Sequence, residues 1–258
     1  MRNYEKPEFL QENRLPQRAY YIPENEGAKI DLNGVWDFAF YDRDYQEEPS
    51  RQGKIDVPSC WQCRGYELPY YTNYVYPFPV DPPYVPTENP MGVYARSFAV
   101  EDINKEYYMV FEGVSSNLEL FINGQYVGYS EGSRLQAEFC ITPYLNRGEN
   151  EILVKVRKWC SGSYLEDQDC FRYNGIFRDV YALKRPKGHI VDIDIRTDDS
   201  SICVDFEGEA EVQLQDAQGR VLATQYATEQ VCFTVEDPIL WNAEAIWICA
   251  WTGCCCAV

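Results

Sequence analysis

The chain has 258 residues, and its 41 acidic against 23 basic side chains give a formal net charge of −18. Such a surface repels phosphate backbones and anionic lipid headgroups, so we expect neither nucleic acid nor a membrane among its partners. The polar first 14 residues contain no secretory signal, and no apolar run approaches the ~20 residues of a membrane span. We therefore expect a cytoplasmic protein in which the seven scattered cysteines are reduced.

The first 186 residues carry the signs of an arm followed by a β-domain. Residues 1–30 are polar and contain three prolines and a glycine, which predicts an extended arm. Trp36, Phe38 and Phe40 then alternate with smaller residues, a period of two that is typical of a half-buried strand. Eight prolines between residues 57 and 90 exclude a helix or a central strand there, and they predict a long ordered loop held by tyrosine packing.

Short strands are predicted at regular spacing beyond this loop. The pair Asn123-Gly124 lies between two apolar runs, which is the strongest short signal for a β-hairpin. The remaining strand candidates of this region are 93–100, 107–113, 118–122, 125–129, 151–158 and 177–183. This spacing predicts a β-sandwich or jelly roll over residues 31–186.

A second domain is predicted after the charged, Pro- and Gly-containing break at residues 184–188. Five short alternating segments follow, at 190–196, 202–207, 210–215, 221–226 and 231–235. They predict an immunoglobulin-like β-sandwich over residues 187–258, with fewer than the ~7 strands that are usual for that fold. The fold class is therefore all-β, with a jelly roll followed by an incomplete immunoglobulin-like sandwich.

Several ordered motifs together resemble one known family. They are residues 57–66, 71–77, 82–90, 121–129, 133–134, 162–169, 175–180 and 238–244. These segments resemble the sugar-binding domain of bacterial β-galactosidases in glycoside hydrolase family 2, over about residues 2–244. The resemblance implies a retaining glycosidase, whose two catalytic glutamates lie ~5–5.5 Å apart on a (β/α)₈ barrel that follows two sandwiches.

The resemblance does not extend to a catalytic domain. A barrel needs at least ~200 residues, whereas 258 − 186 = 72 residues follow Pro186. We therefore expect no catalytic residue in this chain and no activity of the chain alone. The family pattern also ends near residue 245, where an apolar tail with three adjacent cysteines suggests a shifted reading frame.

Two residues are the candidates for sugar binding. The residues alone favour a turn cap for Asn73 and a solvated acidic turn for Asp169. The resemblance instead implies that Asn73 hydrogen-bonds the galactosyl group and that Asp169 faces its hydroxyls. It also implies that Asp169 is part of a sodium site, completed only by the barrel, so that the chain alone holds no cofactor.

A magnesium site that some family members have is doubtful here. The matching positions are Asn3, Lys6, Glu131 and Ser161, and a lysine and a serine are poor oxygen ligands for magnesium. Other interpretations concern packing: Trp36, Trp61 and Trp159 are predicted to lie in the core rather than to stack on sugars. Arg178 and Asp179 are predicted to form a buried ion pair.

The function implied by the resemblance is part of a β-galactoside pocket, supplied by a front end that lacks the catalytic barrel. Two alternatives remain open at this point. The chain could be a free-standing carbohydrate-binding module, or it could be the complementing subunit of a split enzyme whose barrel is made separately.

Overall fold

The computed structural model describes residues 2–18, 28–166, 169–216 and 218–236, which belong to two compact units. The first unit comprises Met1–Pro16 and Pro23–Arg185, and the second comprises Gln17–Ile22 and Pro186–Val258. All helical residues in the described ranges lie in 3-10 helices, at Asn3–Glu5, Trp61–Arg64, Thr142–Tyr144 and Ser161–Tyr164. The described chain is otherwise strands and loops, so the all-β prediction is confirmed.

The first unit contains fifteen described strands. In chain order they are β1 (Gln11–Glu12), β2 (Lys29–Asp31), β3 (Gly34–Tyr41), β4 (Arg51–Val57), β5 (Tyr70–Thr72), β6 (Met91–Val100), β7 (Glu106–Phe111), β8 (Val114–Ser115), β9 (Asn117–Ile122), β10 (Gln125–Glu131), β11 (Ala137–Cys140), β12 (Gly148–Arg157), β13 (Cys170–Arg172), β14 (Gly175–Ile176) and β15 (Val180–Arg185).

These strands form two principal antiparallel sheets. One has seven strands in the order β1-β10-β9-β12-β6-β3-β4, and the other has four in the order β11-β7-β15-β2. Two short ladders, β13-β5 and β14-β8, complete the unit. Strands that are distant in sequence are neighbours in both sheets, as in a jelly-roll sandwich, and the predicted fold of this region is confirmed.

The core of the first unit is built from alternate residues of both sheets. On β3, Trp36, Phe38 and Phe40 are at most 3% exposed, as the period-two pattern predicts. They belong to one cluster with Leu120 of β9 and Val154 of β12, and that cluster continues into the four-stranded sheet. Burying each such side chain stabilises the fold by about 1.5–3 kcal/mol.

The predicted hairpin at Asn123-Gly124 is confirmed. Both residues have positive φ, 51° and 75°, and the turn joins β9 directly to β10. Asn123 also donates a hydrogen bond from its side-chain amide to the side-chain oxygen Oδ1 of Asn150. The turn therefore has the backbone geometry that the Asn-Gly pair tolerates, and a side-chain bond fixes it to the next strand of the sheet.

The Pro-rich loop is ordered by aromatic packing, as predicted, but the exclusion of a helix was wrong, because the 3-10 helix Trp61–Arg64 lies between Pro58 and Pro69. Phe78 packs edge-on against Trp159 and Tyr164, at centroid distances of 4.9 and 5.3 Å. Near its end, the Asn89 amide donates to the Trp159 carbonyl and accepts from the Trp159 N–H, both at 2.9 Å. This pair of bonds continues the β6–β12 ladder through a side chain, next to Pro90, which has no N–H to donate.

The predicted core role of the three tryptophans is confirmed. Trp36 is 1% exposed, Trp61 is fully buried and Trp159 is 8% exposed. The ion pair predicted for Arg178 and Asp179 is wrong, because Arg178 is exposed and donates to the carbonyls of Arg134 and Glu112.

The described part of the N-terminal arm packs on the seven-stranded sheet. β1 pairs with β10, and Tyr4 is buried beneath the guanidinium of Arg157, 4.8 Å from its ring centroid. The Tyr4 hydroxyl donates to Asp44 at 2.5 Å. Composition alone did not predict this strand, because β1 is two residues long and polar.

The second unit contains five described strands. They are β16 (Ile193–Thr197), β17 (Ser201–Phe206), β18 (Ala210–Gln215), β19 (Val221–Ala227) and β20 (Gln230–Thr234). They form a three-stranded sheet, β16-β17-β20, and a two-stranded ladder, β18-β19. Each strand lies within three residues of its predicted position. The tail from residue 245 lies outside the described residues.

One expectation about the cysteines is wrong in this unit. Cys203 of β17 and Cys232 of β20 are joined by a disulfide, with their Cα atoms 4.1 Å apart. The two residues are direct cross-strand partners in an antiparallel register. Sequence spacing did not reveal that partnership, because it depends on how β17 and β20 align.

Candidate functional site

The two predicted sugar-binding residues are brought to one end of the β5–β13 ladder. Thr72 of β5 pairs with Cys170 of β13, and this is the last pair of the register. Asn73 follows Thr72 directly, and Asp169 precedes Cys170. Both are exposed. Because the ladder is antiparallel, the residue after Thr72 and the residue before Cys170 lie at the same end of it. These two residues are 96 positions apart in the sequence.

Asp169 is oriented by a tyrosine of the opposite strand. The Tyr71 hydroxyl donates to Oδ1 of Asp169 at 2.5 Å. This bond is the main reason that the pKa of Tyr71 lies above its usual value. A carboxylate has about four acceptor positions, so one tyrosine leaves capacity for sugar hydroxyls or a cation. Sequence reasoning named the segment that contains Tyr71 but not this contact.

The segment before Asp169 is fixed by Glu166. Its carboxylate accepts from the N–H of Ser133 at 2.7 Å and from the Ser133 hydroxyl at 2.5 Å. Arg172 of β13 donates to the Glu166 carbonyl at 2.6 Å. These charge-assisted bonds fix Glu166, and residues 167–168 after it lie outside the described residues. The Arg172 bond links a residue three positions after Asp169 to one three positions before it.

A small solvent-open cleft, with about 30 Å³ of space for water-sized molecules, lies beside β13. Its lining includes Arg134, Glu166, Phe171 and Asn174, so it combines charged, aromatic and amide groups. Asn174 is buried and donates to the Lys158 carbonyl, whereas Phe171 is 54% exposed. The cleft is thus lined by a buried, hydrogen-bonded amide and by an exposed aromatic side chain.

Several large apolar side chains are exposed on and beside the β5–β13 ladder. Tyr71 and Phe171 are both about half exposed, their ring centroids lie 5.4 Å apart, and Phe171 stacks on Tyr173 at 5.5 Å. Other large exposed apolar residues of the same two loops are Leu68, Tyr70, Tyr74, Val75 and Leu165. The rings of Tyr71, Phe171 and Tyr173 form a partly exposed aromatic cluster, and exposed apolar clusters are common at binding faces.

For sodium, Asp169 offers hard oxygen ligands, which suit such an ion. Among the described residues, no group of three or more His, Cys, Asp or Glu side chains is arranged to hold a metal. Asp169 alone can therefore supply only part of a coordination sphere. Further oxygens would have to come from elsewhere, as the resemblance implies.

The four positions that match the magnesium site of some family members do not fit that ion. The ammonium of Lys6 donates to Oδ1 of Asn3 at 3.0 Å. The buried Glu131 carboxylate accepts from the Tyr129 hydroxyl at 2.5 Å and from Ser161 Oγ at 3.2 Å. Burial, the largest cause, raises the pKa of Glu131, which favours the neutral acid over a metal-binding carboxylate.

Comparison with known proteins gives a consistent family. The model of the family described as "Glycosyl hydrolases family 2, sugar binding domain" matches residues 30–186. A β-galactosidase of Actinobacillus pleuropneumoniae is 39% identical over 93% of this chain and 27% of its own length. One of Leuconostoc mesenteroides is 44% identical over 76% of this chain and 21% of its own length. The chain thus spans about a quarter of the curated relatives that it matches.

Solved structures share the fold. A β-glucuronidase of Bifidobacterium dentium superposes with a TM-score of 0.67 at 21% identity, over 89% of this chain and 44% of its own. A β-glucuronidase of an uncultured Clostridium gives 0.61 at 23% identity, over 90% and 43% of the two chains. No helix in the described ranges has the length and apolar character required to cross a bilayer.

Proposed function

The chain belongs to glycosyl hydrolase family 2 through its sugar-binding domain, and on that premise we propose that it forms the galactoside-facing front part of a β-galactosidase. In this role Asn73 and Asp169 bind hydroxyls of the terminal galactosyl group. The observation that carries the proposal is the placement of these two residues at the same end of the β5–β13 ladder.

The chemistry of the two side chains suits this role. The Asn73 amide can both donate to and accept from sugar hydroxyls, and the Asp169 carboxylate accepts charge-assisted bonds from them. Tyr71 holds one Asp169 oxygen, which limits the rotation of the carboxylate before the sugar arrives. A preoriented acceptor loses less conformational entropy on binding, so more of each hydrogen bond contributes to affinity.

We further propose that a catalytic barrel completes the site. A retaining hydrolase needs an acid/base and a nucleophile, both carboxylates, and neither role is assigned to a residue of this chain. The exposed apolar residues that lie near Asp169 and Asn73 in the sequence support a partner surface there, because a partner that covers apolar side chains removes them from water. Asp169 would hold one side of a sodium ion whose other ligands lie on the barrel.

We also propose a cytoplasmic location, on the acidic, polar character of the sequence. The Cys203–Cys232 disulfide is the one observation against it. Disulfides are rare in the reducing cytoplasm. Fractionation of the source cells, with mass spectrometry of the intact protein, tests the location directly.

A chimera tests the sugar-binding role. Residues 30–186 would replace the matching segment of the A. pleuropneumoniae β-galactosidase, and hydrolysis of an aryl β-galactoside would be measured. We expect activity, and we expect Asn73→Ala to lower kcat/KM roughly 10-fold and Asp169→Asn roughly 10- to 100-fold, as for one neutral and one charged hydrogen bond. Asn104→Ala, an exposed asparagine of the same domain, is the matched control and should leave kcat/KM unchanged.

The outcomes separate this proposal from its alternatives. An active chimera in which neither substitution lowers kcat/KM would refute the roles of Asn73 and Asp169. Calorimetric titration of the 258-residue chain with galactose should show no binding at millimolar concentration. Saturable binding there would instead favour a free-standing carbohydrate-binding module.

The split-enzyme alternative needs a separate experiment. The exposed apolar residues near Asn73 and Asp169 would be covered equally by a barrel of the same chain or by one made as another chain. Co-expression of the 258-residue chain with a barrel-only fragment of the same relative would restore hydrolysis if the two associate. Unchanged hydrolysis, with both chains present and folded, would count against complementation.

A further inference from the structure

The Cys203–Cys232 disulfide lies on the face of the β16-β17-β20 sheet that points away from the core of the second unit. Val204 and Phe206 of β17, with Val231 and Phe233 of β20, are buried in that core. Cys203 and Cys232 alternate with these residues and therefore point to the opposite face. Cys232 is exposed and Cys203 is half-buried.

The register places both sulfurs together without help from the covalent bond. The backbone N–H of Val235 donates to the carbonyl of Ser200 at 2.8 Å, and the backbone N–H of Phe206 donates to the carbonyl of Glu229 at 2.9 Å. Both bonds follow the same register that pairs Cys203 with Cys232, and each lies three residues along the strands from the cysteine pair. Hydrogen-bonded and non-hydrogen-bonded pairs alternate along an antiparallel ladder. The cysteines therefore occupy a non-hydrogen-bonded pair, where facing side chains are closest.

The strands are also held on their other face. The apolar cluster that contains Val204, Phe206, Val231 and Phe233 packs beneath the cysteine pair. Backbone bonds and this cluster remain when the S–S bond is broken. Reduction therefore leaves two thiols facing each other, and the second thiol is present at high effective concentration.

We propose that Cys203 and Cys232 are a reversible thiol–disulfide couple that exchanges with low-molecular-weight thiols and disulfides of the glutathione class. Because Cys232 is exposed, a small thiol or disulfide reaches its sulfur directly. Cys203, being half-buried and already opposite, is the resolving thiol. The couple is independent of the sugar-binding site and of the proposed hydrolase function.

The exchange balances as two displacements. The Cys232 thiolate attacks one sulfur of glutathione disulfide, the S–S bond of that molecule breaks, and one glutathione thiolate leaves. The Cys203 thiolate then attacks the Cys232 sulfur of the mixed disulfide and displaces the second glutathione. The protein loses two protons and two electrons, and one glutathione disulfide becomes two glutathione molecules.

Three other cysteines of the described chain, Cys60, Cys140 and Cys160, are less exposed than Cys232. Cys60 is half-buried, and burial raises its pKa to about 11, which disfavours the reactive thiolate. Cys160 is fully enclosed, and the pKa of its thiol is raised for the same reason. Cys140 is half-buried with its sulfur near the Thr142 hydroxyl, so it serves as a matched control position.

The test is a redox titration of the 258-residue chain in glutathione buffers, followed by acid quenching, alkylation and peptide mass spectrometry. The ratio of oxidised to reduced Cys203–Cys232 pair should rise in direct proportion to [GSSG]/[GSH]², so a 100-fold change of buffer gives roughly a 100-fold change of ratio. Approach from the reduced and from the oxidised protein should give the same curve. Cys140→Ser should not change it.

Single variants identify the order of attack. In Cys203→Ser, Cys232 should accumulate the mixed disulfide with glutathione, and in Cys232→Ser the half-buried Cys203 should accumulate less. A background variant that combines Cys249→Ser, Cys254→Ser, Cys255→Ser and Cys256→Ser excludes exchange with the tail cysteines. The wild-type titration gives its result even where a variant fails to fold. The proposal is overturned if the pair stays reduced in the most oxidising buffer, stays oxidised in the most reducing one, or pairs with other cysteines.

Discussion

Asn89 connects the Pro-rich loop to the end of β12, and removing its side-chain amide should destabilise the first unit. Asn89 is fully buried, and its amide satisfies both the N–H and the carbonyl of Trp159 at 2.9 Å. Asn89→Ala leaves these two backbone groups without partners in a buried place. Each unsatisfied group costs about 1–3 kcal/mol, so we expect a loss of about 3 kcal/mol, or roughly 100-fold in the opening equilibrium.

Hydrogen exchange with mass spectrometry measures this loss where it occurs. Peptides that cover β6 and β12 report the opening free energy of the first unit, independently of the second unit. Asn73→Ala is the matched control, because it removes the same amide from an exposed position of the same loop. It should change the opening free energy by less than about 0.5 kcal/mol.

A second substitution examines the donor separately from the acceptor. Asn89→Asp keeps an oxygen for the Trp159 N–H but places a second acceptor against the Trp159 carbonyl. At neutral pH it should destabilise the unit at least as much as alanine, and acidification should recover stability, because the protonated acid can donate again. If Asn89→Ala leaves exchange within 0.5 kcal/mol of the wild type, on the order of a neutral surface change, the bonds to Trp159 contribute nothing and the reasoning fails.

Three further results are expected. Reduction of the Cys203–Cys232 disulfide should lower the stability of the second unit by about 3–4 kcal/mol, the chain-entropy value for a 29-residue separation, and unchanged exchange in β17 peptides would contradict this. Burial first and the hydrogen bond to Asp44 second raise the pKa of Tyr4 from 10.0 to about 12. The stability that Tyr4 contributes is therefore complete below pH 10 and is lost as the pH rises towards 12. Urea unfolding of Tyr4→Phe should show a smaller loss of stability over that interval than the wild type, and equal losses of stability would refute the assignment. Millimolar magnesium should leave the Tm of the chain unchanged, because bound ligand would raise it, and a shift that a chelator reverses would show that the ion binds.

Much of the fold could be predicted from local patterns. The alternation of Trp36, Phe38 and Phe40 predicted the buried face of β3, and Asn123-Gly124 predicted the β9–β10 hairpin. Both patterns express covalent geometry over a few residues, and any sheet in which these strands pack must respect them. The candidate residues Asn73 and Asp169 were found through the resemblance of their motifs to a family.

The parts that were missed are contacts between distant segments. The N-terminal strand β1, the bond of Tyr71 to Asp169 and the two bonds of Asn89 to Trp159 leave no mark on local composition. The ion pair predicted for Arg178 was wrong for a related reason. Its guanidinium reaches carbonyls of two other segments, at positions that the sequence does not indicate.

The sequence by itself determined several of the longer strands, among them β3, β9 and β10, which faces of those strands are apolar, and which loop carries Asn73. The tertiary structure alone decided that Asn73 and Asp169 share one end of a ladder, and that Cys203 faces Cys232. The physical reason is register. A period of two is a property of each strand, whereas the alignment of two strands depends on burial and hydrogen bonds summed over the whole sheet.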